Sequence, residues 1–170
     1  MRPVVLPLVL GLALALGACG FRPLYQRAGD LDTVPQMAAV QVNQAQTRVG
    51  LQIRNNLIDG LGQGAEPAIP LYVLSFTTIE TPSAVLVTKR ETVTRYSLHL
   101  VTRYMLTDSE TGAKLLSGSV TSVAAYNVLR AEFANLVAEE DARARATRDV
   151  AEQIRVRLAL YFRNEAEAVR

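Results

Sequence analysis

The chain has 170 residues, with 18 Lys+Arg against 16 Asp+Glu, a formal net charge of +2, one cysteine and one histidine. Near neutrality offers no global basic surface for nucleic acid. The lone Cys19 excludes a disulfide scaffold and a multi-thiolate metal centre, and any histidine-based chemistry has to be built around His99 alone.

Arg2 gives a basic start, and Val4 to Leu16 is apolar apart from Pro7 and Gly11, with small Gly17 and Ala18 before Cys19. That order reads as an export signal. It falls short of the ~20 apolar residues that span a bilayer. Leu16-Gly17-Ala18-Cys19 resembles the lipobox of bacterial lipoproteins, in which the cysteine becomes the new N-terminus and carries acyl chains. Residues 1–18 are therefore expected to be removed and Cys19 to be lipidated. Two or more chains, at ~0.8 kcal/mol per buried methylene, hold a protein stably on a membrane. Removing 18 of the 170 residues leaves 152, enough for one domain with a real core. Gly20, rather than the aspartate that signals retention at the inner membrane, favours the outer membrane.

Residues 19–35, with Pro23, Gly29, Asp30, Asp32 and Pro35 and little periodicity, read as a lipidated tether. The globular domain is expected over 36–165. Met37 to Val42 suggests a short strand. Thr47 can cap a helix in which Val49, Ile53, Leu57 and Leu61 recur every four residues, ended by Gly60, Gly62 and Gly64. Glu66 to Pro70 reads as a loop.

Leu71 to Thr81 predicts a strand with Tyr72, Leu74 and Phe76 on one side. Next, Tyr96, Leu98, Leu100, Tyr104 and Leu106 alternate with Arg95, Ser97, His99, Arg103 and Met105, the period of a sheet with one buried face. Lys114 to Tyr126 alternates again, and Asp108 to Gly112 joins these two strands as a hairpin. From about Glu132 to Phe162 the pattern becomes helical, with Ala142, Ala146, Val150, Ile154 and Leu158 as one stripe. Acidic residues at 139–141 and arginines at 155, 157 and 163 suit the helix dipole. The expected fold is a single α+β domain of order β-α-β-β-β-α, with two helices packed on one face of a four-stranded sheet.

His99 lies mid-strand with Ser97 beside it and no acidic residue in local reach, which fits a sheet-face histidine better than a general base. No phosphate-cradling loop or nucleophile elbow occurs. Nothing in the chain calls for a cofactor or an enzyme. Ser83 to Thr88 reads as the segment between two strands, with Val85, Leu86 and Val87 beside Lys89 and Arg90, and Arg95 continuing the positive charge. This combination suits either an amphipathic anion, with acyl chains on the valines and phosphates on the cations, or a hairpin edge kept soluble by Lys and Arg. The arginine-rich last helix, with Arg143, Arg145 and Arg148, reads as a solvated, ion-paired face.

Cys19-Gly20-Phe21-Arg22-Pro23-Leu24-Tyr25 resembles the start of mature lipoproteins of the LptE family of lipopolysaccharide-assembly proteins. The likeness extends to the helix carrying Arg54-Asn55-Asn56-Leu57 and to the order of the elements. It implies an outer-membrane lipoprotein on the periplasmic side, acting as plug and assembly partner of the large β-barrel LptD and binding lipopolysaccharide without covalent chemistry. Lys89 and Arg90 fall where the family carries a basic residue implicated in lipopolysaccharide contact, and Arg95, which continues their charge along the next strand, joins them as an expected contact. A second basic position of the family, near the start of the last helix, falls here at Ala138. The other reading of the same anchor and domain is a pilot lipoprotein that escorts another barrel or secretin without binding lipid.

Overall fold

The computed structural model describes residues 34–62, 66–87, 94–128 and 131–168, with the side chains of 34, 85–87 and 94 outside that description. The elements in order are α1 (Val34–Ala38), β1 (Val40–Val42), α2 (Arg48–Gly62), β2 (Tyr72–Val87), β3 (Thr94–Asp108), β4 (Lys114–Val128) and α3 (Glu132–Ala168). They form a single α+β domain. The sheet order is β1-β2-β3-β4, with β1 parallel to β2 and the other pairs antiparallel.

The periodicities place the core. Leu98, Leu100, Tyr104 and Leu106 of β3, with Leu74 of β2 and Val120 of β4, are buried on one sheet face. Against them lie Val49, Ile53, Leu57 and Leu61 of α2 and Ala142, Ala146, Val150, Ile154 and Leu158 of α3. Both expected stripes are therefore the packed ones, and both helices share one face of the sheet. Each fully buried Leu or Ile contributes roughly 1.5–3 kcal/mol. Thr47 caps α2 as its sequence position suggests, its Oγ1 accepting the Gly50 N–H at 3.0 Å.

The ends of several elements differ from the sequence reading. Only Val40–Val42 of the expected first strand is extended, because Val34–Ala38 forms a helical turn with Pro35 in its first turn. The Ala39 N–H closes that turn on the Pro35 carbonyl at 3.1 Å, and the region read as tether overlaps α1 by two residues, Val34 and Pro35. Gly62 is the last residue of α2, but Gly60 lies inside it, where a Cβ would come 3.1 Å from Cδ of Arg155. α3 runs six residues past Phe162.

The largest difference is in β2, which continues through Pro82 to Val87, so Ser83 to Val87 is strand rather than connecting loop. Pairing with β3 continues to Leu86↔Arg95 and Val87↔Thr94, past a bulge between Ala84 and Leu86. The hairpin of β3 and β4 forms as expected. Asp108 Oδ1 accepts the Glu110 and Thr111 N–H groups at 3.1 and 2.8 Å, and Gly112 takes φ +69°. Gly118 of β4 faces Tyr104 across the register, and the tyrosine ring fills the space that the missing side chain leaves.

Candidate functional site

The two faces of the sheet differ chemically. Odd-numbered residues from Ser75 to Ser83, Arg95 to Met105 and Ser117 to Asn127 point away from the helices, in rows such as Thr77–Arg103–Ser119 and Thr81–His99–Val123. Among the described residues this face holds Arg95, His99 and Arg103, many hydroxyls, a few apolar groups such as Ile79 and Val123, and no carboxylate. It is a broad, polar, cation-bearing surface that no described element covers. His99 sits in its middle between Thr81 and Val123, with no acid among the described residues of that face to orient it.

The sequence-expected residues divide accordingly. Arg95 is exposed near the end of β3, opposite Leu86 and Asn127. Cys19, Lys89 and Arg90 lie outside the described residues. The structure therefore places one of the three expected lipid contacts, Arg95, on the polar face. Val85 to Val87 belong to β2 beside it.

Sequence reasoning missed what happens at the other end of the helix face. Arg143 of α3 is largely buried and donates to three carboxylates: Nε to Glu80 of β2 at 2.9 Å, Nη2 to Glu139 at 2.6 Å and Nη1 to Glu140 at 2.8 Å. Glu140 in turn receives Gln52 at 2.9 Å and pairs with Arg48 at 3.0 Å, both from α2. Burial opposes charge on both groups. Hydrogen bonds from Gln52 and Arg143, with the charges of Arg48 and Arg143, nevertheless hold the Glu140 carboxyl below its usual range. The same three carboxylates raise the Arg143 guanidinium above its ordinary value against the cost of its burial. This network borders a cavity of about 400 Å³ also lined by Leu136 and Val137.

Beyond the network, burial on the helix side of the sheet falls off, with Tyr96 and Tyr126 half-buried and Pro82 and Ala84 exposed. Tyr96 and Tyr126 stack there with ring centroids 5.8 Å apart. Burial, with the nearby Glu139 charge, pushes the Tyr126 hydroxyl up. Phe133, Leu136 and Val137 stand exposed on α3, Phe133 by 79%.

The arginines of α3 do more than face solvent. Arg145 Nη2, Gln153 Nε2 and Arg157 Nη1 donate to the carbonyls of Ala125, Thr121 and Ser119 at 3.1, 3.2 and 2.9 Å. They cap outward backbone groups of the edge strand β4. The signal was present as the spacing 145, 153, 157, which puts these residues along one line of the helix next to its apolar stripe.

Among the described residues no group of three or more His, Cys, Asp or Glu could hold a metal ion, and no helix is long and apolar enough to cross a membrane.

Comparison with solved structures gives the same architecture. A chain from Caulobacter crescentus CB15 described as a lipoprotein superimposes with a TM-score of 0.69 at 21% identity, covering 78% of this chain and 96% of that one. Rare lipoprotein B from Shewanella oneidensis aligns with a TM-score of 0.55 at 13% identity, over 77% of this chain and 97% of that one. At these identities the likeness is one of fold. The comparison with curated proteins gives no match. Residues 36–158 match the family model described as LptE, lipopolysaccharide-assembly. That span runs from α1 through β1–β4 to Leu158, the last member of the α3 stripe, and so takes in the whole sheet, α2 and most of α3. The chain belongs to the LptE family.

Proposed function

We propose that the mature protein starts at a lipidated Cys19 and is held by it on the periplasmic side of the outer membrane. There its domain serves as plug and assembly partner of an LptD-type β-barrel and binds lipopolysaccharide on its way to the outer leaflet. The function is one of binding, without covalent chemistry. The observation that carries this reading is the uncovered sheet face. A surface of hydroxyls and cations without a carboxylate, centred on Arg95, His99 and Arg103, suits the polar lumen of a large barrel. Family membership supports the lipopolysaccharide-assembly role.

Lipopolysaccharide is assigned to the distal end of the β2–β3 hairpin. Lys89 and Arg90 would meet its phosphates, together with Arg95, and apolar groups would meet its acyl chains. An exposed cation pair contributes only ~0–1 kcal/mol per contact, so buried apolar area has to supply the remainder.

The test is affinity purification of the tagged, full-length protein from detergent-solubilised outer membranes. A stoichiometric large barrel of the lipopolysaccharide-export type supports the proposal. Recovery of a different barrel or secretin makes the protein a pilot. Lys89→Asp combined with Arg90→Asp is expected to weaken lipopolysaccharide binding while the fold survives, and unchanged binding removes that site. Cys19→Ala is expected to abolish acyl labelling.

A further inference from the structure

The two margins of the sheet are treated in opposite ways. The β4 edge is capped by Arg145, Gln153 and Arg157, which occupy outward carbonyls that a foreign strand would need. The β2 edge has no such cover. Its phase is fixed by β1: the Tyr72 N–H reaches the Ala39 carbonyl at 3.3 Å, and the Leu74 carbonyl receives the Asn43 N–H at 2.9 Å. Alternation along an unbroken register carries that outward phase to Phe76, Thr78, Glu80, Pro82 and Ala84.

β1 ends at Val42, opposite Leu74, and the chain then turns away into α2. Among the described residues nothing hydrogen-bonds to the outward backbone groups from Phe76 to Ala84. The stretch is also accessible, with Ile79 54% exposed and Thr81 to Ala84 exposed. Its one charged side chain, Glu80, is turned into the helix face and neutralised on Arg143, so no free charge guards the edge. Pro82 falls in the outward phase, where the sheet itself loses no ladder bond.

We propose that the free edge of β2 from Phe76 to Ala84 is a strand-acceptor site, which takes an extended segment of the barrel partner into the lane that β1 leaves at Val42. This rests on the barrel reading above. A row of backbone donors and acceptors that lacks only the Pro82 N–H, about 30 Å long for nine residues, is recognised by an extended polypeptide and by little else. A second copy of this chain is a poor occupant. Two-fold antiparallel pairing of this stretch would set Pro82 of both copies into one short joint and forfeit an N–H from each. The partner segment should carry hydroxyl, apolar or acidic side chains on its outer side, because the flanking sheet face bears Arg95, His99 and Arg103 and no carboxylate.

Amide hydrogen exchange on the purified protein, alone and in its detergent-solubilised membrane assembly, tests the proposal. The N–H groups of Thr78 and Glu80 should exchange freely in the isolated protein and slow at least ten-fold in the assembly. Those of Thr77 and Ile79, which face β3, should be slow in both. A barrel assembly in which Thr78 and Glu80 stay fast overturns the strand-acceptor site and leaves the barrel reading intact. Protection in an assembly with some other protein keeps the site and overturns the barrel. Recovery of no protein partner overturns both. Protection that rises with concentration in the isolated protein assigns the edge to self-pairing and overturns the proposal.

Discussion

Arg143 Nε donates to Glu80 Oε1 at 2.9 Å, and through this contact the last helix is tied to the middle of the second strand. The guanidinium also holds Glu139 and Glu140, so its removal leaves three carboxylates facing one another with only Arg48 nearby. Arg143→Met is expected to destabilise the domain by about 2 kcal/mol, below the figure for a fully buried network because the carboxylates are partly solvated. Glu80→Gln should cost less than half as much. Urea denaturation of the two variants beside the wild type decides; equal and negligible effects would make the contact incidental.

The pH dependence of stability follows from Glu140. Its folded-state value lies below the ordinary 4.5, so its contribution is fully present above that pH and is lost as pH falls through the folded value. Asp108, whose carboxyl is lowered by the Thr111 backbone and hydroxyl, acts in the same direction. Unfolding midpoints measured from about pH 6 to about pH 3 should therefore fall with acid. Glu140→Gln should flatten that fall in part, with Asp108 responsible for some of the remainder.

Tyr104 and Gly118 form a matched pair. A Cβ at 118 would lie 2.7 Å from the Tyr104 hydroxyl oxygen and 3.0 Å from the ring carbon that bears it. Gly118→Ala is expected to cost about 1–3 kcal/mol by overpacking. Tyr104→Leu alone should also destabilise, by leaving a void. The double variant should be less destabilised than the sum of the two, and additivity within about 0.3–0.5 kcal/mol would dismiss the pairing.

Replacing Arg145, Gln153 and Arg157 together by alanine uncaps the β4 edge at Ala125, Thr121 and Ser119. The triple variant is expected to remain folded and to self-associate, because an uncapped edge is a template for another strand. Sedimentation velocity at rising concentration reads this directly. A monomeric triple variant would mean that these contacts do not guard the edge.

What the sequence made legible was periodicity. The stripes Val49–Leu61 and Ala142–Leu158 and the alternation of Tyr96 to Leu106 mark buried faces directly, because burial leaves its period on the residue types. Thr47 was readable for a similar reason: a cap is a local device. The continuation of β2 past Pro82 was not legible, since the tolerance of proline there depends on where β1 stops, at Val42, forty residues earlier in the chain. Arg143 read as one more cation on a charged helix because its deciding partner, Glu80, is 63 residues away. The sheet face that Arg95 occupies was legible from the alternation of β3, a local pattern. The sealing of one edge and the bareness of the other belong to tertiary placement, which local patterning does not encode.

α3 has 37 residues and α2 has 15, so at 1.5 Å per residue they span about 55 and about 22 Å. The strands β2 to β4 extend as far as the long helix, and only their proximal part lies under two helices. Opening the proximal part exposes the main core. Opening the distal part exposes far less, because Tyr96 and Tyr126 are only half-buried and Pro82 and Ala84 are already exposed. The domain should therefore loosen in steps, its distal end breathing at a free energy well below that of global unfolding. Partial opening at the end away from α2 leaves the main core intact.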